Sequence, residues 1–252
     1  MIFRTTLLLL LGLLAGGCET LPPGSCTVGV AFLEEEVRCT GCWLGNGTVV
    51  TVAHGMGSFP RSGYVGVLVA DEKPKIVAFS TVVSGTEGPI GGGRMRATSW
   101  EQLLLEANEH VGDWVVLETE PLSDQFGGEV RFGHAEAGDR AAIMAFHPHD
   151  LRQLLSVGGV RDAGGTVVAI DDEHWPSELF LVRLERGTVG RGSSGSPVFV
   201  RGGAGRGDWR LAGMHLGKVW LTADNEDGAY AMVRRLPIDG APTSAASALP
   251  RK

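Results

Sequence analysis

Short apolar runs separated by turn-forming residues recur along most of the chain, which has 252 residues. Runs of this kind, rich in β-branched residues and bounded by glycine, proline or polar clusters, predict β-strands. In the N-terminal half the predicted strands are residues 28–33, 37–44, 48–52, 64–69, 76–83 and 114–117. In the C-terminal half they are residues 130–132, 140–146, 158–160, 165–170, 179–184, 197–200, 209–214 and 229–234. Two groups of about six strands predict an all-β fold of two packed six-stranded antiparallel β-barrels.

The segments between the strands predict the organisation of the chain. Residues 99–108 (SWEQLLLEAN) are the one helix candidate, and residues 85–93 (GTEGPIGGG) are predicted to form a surface loop. The polar segment 118–128 is expected to cross between the two halves. We therefore expect an N-terminal barrel over 27–120, a C-terminal barrel over 121–238 and a flexible tail over 239–252.

The N-terminus predicts an export signal over residues 1–17, because Arg4 is followed by an apolar run, 7–14, and then by small residues. The sequence from Ala15 to Cys18, AGGC, resembles a bacterial lipobox, in which cleavage precedes a cysteine that then carries diacylglycerol. Each buried methylene of an acyl chain contributes about 0.8 kcal/mol, so several chains would anchor the protein. Residues 18–26 would then form a tether, and the protein would be lipid-anchored in the bacterial cell envelope, periplasmic or at the cell surface. An ordinary cleavable signal with a chance cysteine is the alternative.

Composition and charge narrow the classes of partner. The hydrophobic fraction of 43% is ample for a packed core and excludes intrinsic disorder for most of the chain. A formal net charge of −7 provides no basic face to neutralise phosphates, so we expect no nucleic-acid partner. A monomer is expected.

Three cysteines follow Cys18, namely Cys26, Cys39 and Cys42, and an exported protein would hold them in an oxidising compartment. If residues 27–33 and 37–44 pair as a hairpin, opposed positions sum to about 69 or 70, which places Cys26 nearer Cys42 than Cys39. A disulfide between Cys26 and Cys42 is therefore the favoured pairing. Cys39-x-x-Cys42 could instead be a redox pair or half of a zinc site.

Three motifs along the chain present a histidine, an aspartate and a serine, in that order. Residues 48–55 (TVVTVAHG) predict a strand that ends on His54, Asp113 opens the apolar run DWVVL, and residues 191–200 (RGSSGSPVFV) place Ser194 in a glycine-rich turn. Taken singly, each has a structural explanation as a packed histidine, a capping aspartate or a flexible turn. Taken together, they resemble the trypsin-like serine peptidases over about residues 27–236. The resemblance implies two β-barrels with the active site between them.

The same resemblance implies a role for each residue. Ser194 would be the nucleophile, His54 the general base that takes its proton, and Asp113 the acid that orients His54. The backbone amides of Gly192 and Ser194 would form the oxyanion hole. The residue before the nucleophile is Ser193, where the animal digestive enzymes have an aspartate that pairs with a new N-terminal amine, so activation through that ion pair is not expected.

The pattern around Ser194 is closer to that of bacterial glutamyl endopeptidases. In these enzymes a Gly-x-His segment after the nucleophile places a histidine in the specificity pocket, and here that histidine is His215. It would recognise Glu or Gln before the scissile bond; the alternative is that His215 only fills the second barrel. Thr188, six residues before Ser194, lies where trypsins keep the acid that selects Lys and Arg, so a preference for basic residues is not expected. Lys218 lies where the family usually has a small residue that lines this pocket, so the sequence does not predict the shape of the pocket mouth.

These observations predict an exported serine endopeptidase that acts on proteins or peptides and needs no cofactor. The run from His147 to Asp150, HPHD, could resemble a metal cluster, but ligands so close in sequence rarely converge on one ion, so no metal is expected. Two alternatives remain open: a catalytically silent member of the fold that binds envelope peptides or proteins, and a serine hydrolase that acts on esters.

Overall fold

The computed structural model describes residues 27–32, 37–45, 47–56, 65–69, 79–84, 94–119, 131–146, 160–190, 192–203, 207–223 and 226–236. The predicted signal, tether and tail, the loop 85–93 and the HPHD run lie outside these residues, as do Cys18 and Cys26. Among the described residues no helix is long and apolar enough to span a membrane.

The described chain consists of thirteen strands and two helices. The elements of the first half are β1 (Thr27–Phe32), β2 (Val37–Gly45), β3 (Thr48–Thr51), α1 (Ala53–Met56), β4 (Val65–Val69), β5 (Phe79–Ser84), β6 (Arg94–Ala97), α2 (Trp100–His110) and β7 (Val115–Thr119). Those of the second half are β8 (Arg140–Phe146), β9 (Val160–Val167), β10 (Leu179–Arg186), β11 (Pro197–Arg201), β12 (Arg210–Ala223) and β13 (Glu226–Arg235).

The N-terminal sheet has six strands in the order β4-β1-β2-β3-β7-β5, and its end strands β4 and β5 lie beside each other. Its first hairpin has the predicted register, because Thr27 faces Cys42 and Val30 faces Cys39. A bulge between Val30 and Ala31 then shifts the pairing. Cys26 lies outside the described residues, so its disulfide with the buried Cys42 stays a prediction.

The C-terminal sheet is a closed barrel. Six strands follow one another in the order β11-β8-β9-β10-β13-β12, and β11 also pairs with β12, which completes the circle. All of these pairings are antiparallel, as predicted. Its interior is filled by small and β-branched side chains, among them Ile143, Val182, Val198 and Val233. The prediction of an all-β fold with two packed six-stranded barrels is confirmed.

One strand of the range 27–120 joins the other sheet. β6 pairs in parallel with β12 over four residue pairs, from Arg94 with Lys218 to Ala97 with Leu221. The predicted helix follows it directly as α2, and the side chain of Ser99 caps α2 by accepting a hydrogen bond from Gln102 N (3.2 Å). Leu103 and Ala107 form its buried face. Residues 94–110 thus form a connection between β5 and β7 that is held against the C-terminal barrel.

Two predicted strands of the second half are one strand in the structure. Residues 158–160 and 165–170 are predicted as separate strands, but β9 runs through Gly164 and Gly165. A Cβ on Gly165 would lie 1.7 Å from the carbonyl oxygen of Arg183, so only glycine allows β10 to approach this closely. The prediction of two separate strands is wrong, because these glycines lie within one strand and allow a close backbone contact.

Candidate active site

Asp113 is positioned at the junction between α2 and β7. Its amide donates to the carbonyl of His110 (3.1 Å), which closes the last turn of the helix and directs the carboxylate inward. The side chain is fully buried. A buried carboxylate needs partners for both oxygens, since an unpaired charge is costly to remove from water.

His54 supplies both partners. Its backbone N–H donates to Oδ1 of Asp113 (2.9 Å), and its Nδ1 lies 2.6 Å from Oδ2. Because a carboxylate only accepts, Nδ1 carries the proton and Nε2 is left with its lone pair. The ring is 10% exposed, so this lone pair belongs to an imidazole with limited access to water. His54 lies in α1, the short helical turn that follows β3.

Ser194 lies in a tight turn between β10 and β11. Gly192 and Gly195 on either side of Ser193 and Ser194 both have φ of +88°, a conformation that favours glycine. A Cβ on Gly195 would lie 1.8 Å from the carbonyl oxygen of Thr40, so no side chain fits there. The turn is buried, with Ser194 retaining 7% exposure.

Thr40 of β2 binds this turn from the N-terminal sheet. Its amide donates to the carbonyl of Ser194 (2.8 Å), and its hydroxyl donates to the carbonyl of Gly192 (2.8 Å). The Thr51 hydroxyl in turn donates to the carbonyl of Thr40 (2.7 Å). These buried bonds fix the turn of the C-terminal barrel against the N-terminal sheet. Nothing in the sequence marked Thr40 and Thr51, because buried threonines are ordinary strand residues.

A short series of contacts also connects His54 with Ser194. Gly55 follows His54 and packs on Cys39, since a Cβ on Gly55 would lie 2.9 Å from Cβ and Sγ of Cys39. Cys39 precedes Thr40, the residue that binds the Ser194 carbonyl. The structure therefore brings His54 and Asp113 into direct contact and holds the Ser194 turn at the strand on which α1 packs.

Ser193 closes the turn on itself. Its amide and its hydroxyl both bind the carbonyl of Gly190, at 3.0 and 2.6 Å. The position that the animal enzymes give to an aspartate therefore holds a neutral side chain with a local partner.

His215 lies inside the protein behind the turn that holds Ser194. Its amide donates to the carbonyl of Ser196 (2.8 Å) and its carbonyl accepts from Gly195 (2.7 Å), so β12 is joined to the turn at this residue. Its Nδ1 lies 3.0 Å from the carbonyl of Ser193, and within the described part of the chain its buried Nε2 has no hydrogen-bond partner. Burial lowers the pKa of His215 to about 4, against the opposing effects of backbone hydrogen bonds at Ser193 and Gly217, and the nearby His54 lowers the pKa further.

The other predicted pocket residue lies in a different environment. Thr188 is exposed, whereas its neighbour Val189 is buried. Lys218 is half-buried in β12 with its Nζ 4.1 Å from the centroid of the Trp220 ring.

Among the described residues, no group of three or more His, Cys, Asp or Glu side chains is placed to hold a metal ion.

No protein-family model and no curated protein matches this chain in sequence. Solved structures do match it. An inactivated protease paralogue of the scabies mite, S-D1, is 17% identical with a TM-score of 0.54, over 84% of this chain and 87% of that one. Kallikrein-related peptidase 10 is 14% identical with a TM-score of 0.53, over 85% and 92%. Neuropsin, a serine protease of mouse brain, is 12% identical with a TM-score of 0.52, over 86% and 92%.

The chain therefore has the fold of the trypsin-like serine proteases. At such low identity the likeness shows the fold alone. One of these proteins is described as inactivated, so the fold by itself does not decide whether a member catalyses a reaction. Whether this chain catalyses a reaction depends on its own side chains.

Proposed function

We propose that this protein is a serine endopeptidase in which Ser194, His54 and Asp113 act together on peptide bonds. The observation that carries the proposal is the pair of hydrogen bonds by which His54 engages both oxygens of the buried Asp113. That arrangement leaves Nε2 of His54 as a base, which a serine hydroxyl needs in order to react. The glycine-flanked turn of Ser194 supports the proposal from the other barrel.

The proposed reaction has two steps. Ser194 Oγ attacks the carbonyl carbon of the scissile bond while Nε2 of His54 takes its proton, and the resulting imidazolium is stabilised by Asp113. The amides of Gly192 and Ser194 would donate to the oxyanion. His54 then protonates the leaving amine as the C–N bond breaks, and an acyl-enzyme remains. In the second step a water, deprotonated by His54, attacks the acyl carbon. The bond between that carbon and Ser194 Oγ breaks, the acid product leaves, and His54 returns the proton to Ser194 Oγ.

A fluorophosphonate probe tests the nucleophile directly. The chain from Thr20 onward should be labelled, and Ser194→Ala should not be. Ser177→Ala is a control, because Ser177 is an exposed serine that precedes β10 and would not be the nucleophile. Absence of labelling in a folded wild-type protein would overturn the enzyme proposal and favour the binding protein of the same fold. Cleavage of simple esters without any peptide cleavage would favour the ester hydrolase.

We further propose that His215 selects the side chain before the scissile bond. Since the carbonyl of Ser193 can only accept, Nδ1 of His215 donates to it. A pKa near 4 keeps this ring neutral at pH 7. Nε2 is buried, and a backbone hydrogen bond at Gly217 also acts on the ring, so the proposal covers both predicted residues, Glu and Gln.

Peptides that differ only in this residue test the assignment. At pH 7 the wild type should cleave after Glu or Gln at least about tenfold better than after Ala, as judged by kcat/KM, and His215→Ala should lose most of this difference. The labelling rate with fluorophosphonate checks that the nucleophile of the variant is intact. An unchanged cleavage profile in His215→Ala would reject the role and leave His215 as a packing residue.

We also propose that Cys18 carries the lipid that anchors the protein in the bacterial cell envelope. The motif AGGC at residues 15–18 supports this. Radiolabelled palmitate should enter the wild type and be absent from Cys18→Ala. Cys26→Ala is the matched control and should be labelled like the wild type; label that persists in Cys18→Ala would reject the anchor.

A further inference from the structure

The edge of β12 next to the nucleophile is already occupied along most of its length. β13 covers one side of β12 from Gly213 to Ala223. On the other side, β11 pairs as far as Met214 and β6 begins at Lys218. Between these partners lie His215, Leu216 and Gly217, and the backbone of His215 is bonded to Gly195 and Ser196. Within the described residues, Leu216 and Gly217 are thus the part of this edge between the Ser194 turn and β6; both are buried, and the pairing with β13 shifts at Leu216.

An extended peptide binds a protein strand by adding backbone hydrogen bonds at such an edge. If His215 takes the side chain before the scissile bond, as in the proposed function on which this inference rests, the backbone of that residue lies beside Leu216 and the substrate runs along β12 away from Ser194. Extended residues advance about 3.3 Å each, so this residue and the one that precedes it span Leu216 and Gly217. The third residue from the scissile bond would reach Lys218, whose edge is taken by Arg94.

The segment that contains β6 and α2, residues 94–110, is called the strap below. Besides the pairing of β6, it is fastened to the C-terminal barrel at two further points. Where α2 begins, the ring of Trp100 stacks on Trp175 with centroids 5.6 Å apart, and Trp100 Nε1 donates to Asp172 Oδ2 (2.6 Å). Trp175 is itself bound, through Nε1, to the carbonyl of Leu179 (3.3 Å). Just beyond its end, the carbonyl of Val111 accepts from Arg234 Nη1 (2.7 Å).

We propose that the strap limits substrate recognition to two residues on the acyl side of the scissile bond. The chain of a substrate then has to turn away from β12 at the third residue. The class of substrate that fits is a protein loop or bend, or a short peptide, instead of a long extended segment. Position three should tolerate proline, because no backbone N–H is needed there.

Peptides of increasing length test the limit on both activity and binding. The series acetyl-Gln, acetyl-Ala-Gln, acetyl-Ala-Ala-Gln and acetyl-Ala-Ala-Ala-Gln, each with a coumarin leaving group, should gain in kcat/KM up to the second residue and change less than about twofold beyond it. Acetyl-Ala-Pro-Ala-Gln should equal its all-alanine counterpart. The dissociation constants of the same peptides for Ser194→Ala should follow the same order. A tenfold gain from the third or fourth residue would overturn the limit.

Loosening the strap should remove the limit. Arg96→Pro combined with Trp175→Ala weakens the pairing of β6 and the stack, and should give at least a tenfold gain from the third and fourth residues. Trp209→Ala is the control, because Trp209 is half-buried and packs on Arg201 of β11, away from the strap. A loosened variant that folds would reject the inference if it shows no gain from the third and fourth residues, or if it binds none of the peptides. Fluorophosphonate labelling reports on the proposed function separately, because the probe needs no peptide chain.

Discussion

Gly195 carries the severest steric constraint at the nucleophile turn. A methyl group there would meet the carbonyl oxygen of Thr40 at 1.8 Å, and the turn would have to open. Gly195→Ala should lower the free energy of unfolding by about 3 kcal/mol or more and abolish probe labelling. The measurements are urea unfolding and the labelling rate.

Gly138 offers a matched control for this substitution. It also has φ of +88°, but a Cβ there would meet nothing within 4 Å. Gly138→Ala should therefore cost only the conformational strain of about 1 kcal/mol and leave labelling unchanged. Equal losses of stability in the two variants would show that the close contact with Thr40 contributes nothing.

His215 should make the free energy of unfolding depend on pH. Its pKa is about 4 in the folded protein, whereas an unfolded histidine titrates near 6.5, so the unfolded chain binds the extra proton in between. Stability from this group is complete above pH 6.5 and declines by up to about 3 kcal/mol as the pH falls to 4. The difference in unfolding free energy between wild type and His215→Gln should shrink over that interval. Parallel pH profiles would contradict the prediction.

At the scale of elements, β2 positions the nucleophile turn through one side chain. Thr40→Val keeps the shape of the residue but removes the hydroxyl bound to the carbonyl of Gly192. Leaving that buried acceptor without a donor should cost about 1 to 3 kcal/mol. Because the affected carbonyl belongs to the proposed oxyanion turn, the labelling rate should fall about tenfold or more.

Thr51→Val separates positioning from stability. Its hydroxyl is equally buried and donates to the carbonyl of Thr40, so its loss should destabilise the fold to a similar extent. It gives no hydrogen bond to the nucleophile turn, and labelling should fall much less than in Thr40→Val. Labelling that falls equally in both variants would show that Thr40 acts only through stability.

The sequence predicts elements best where each residue's environment follows from local pattern. The hairpin of β1 and β2 has its predicted register, and the helix is close to its predicted range with Ser99 as its cap. β6 escapes detection because RMRA is too short and polar to favour a strand until β12 lies beside it. The length of β12 is likewise hidden by Gly217 and Lys218, which interrupt its apolar pattern.

The candidate site shows the same division. His54, Asp113 and Ser194 are predicted from motif order, and of these the structure places His54 and Asp113 in direct hydrogen-bond contact. Thr40, Trp100 and Trp175 are not found, because their importance lies in contacts across 50 or more positions of the chain, which no local pattern encodes. The exposed side chain of Thr188 likewise follows from the path of the loop after β10.

For the whole molecule, the turn that holds Ser194 should need no new N-terminus to form. The hydroxyl of Ser193 is bound to the carbonyl of Gly190 within the same turn, so the turn contains no buried acid awaiting an ammonium group. Proteins beginning at Thr20 with a free amine, an acetylated amine or an added tag should label at rates within about twofold of one another. Labelling that appears only after proteolysis near the N-terminus would contradict this.

The pairing of β6 with β12 also affects how copies of the protein meet at high concentration. An open strand edge can pair with the same edge of another molecule and start aggregation. Here the long β12 presents little open edge, and the strand that covers it has only four residues and two exposed arginines, Arg94 and Arg96. A short, positively charged edge repels its own copy. The pairing that we propose to narrow substrate recognition thus also closes one route to aggregation.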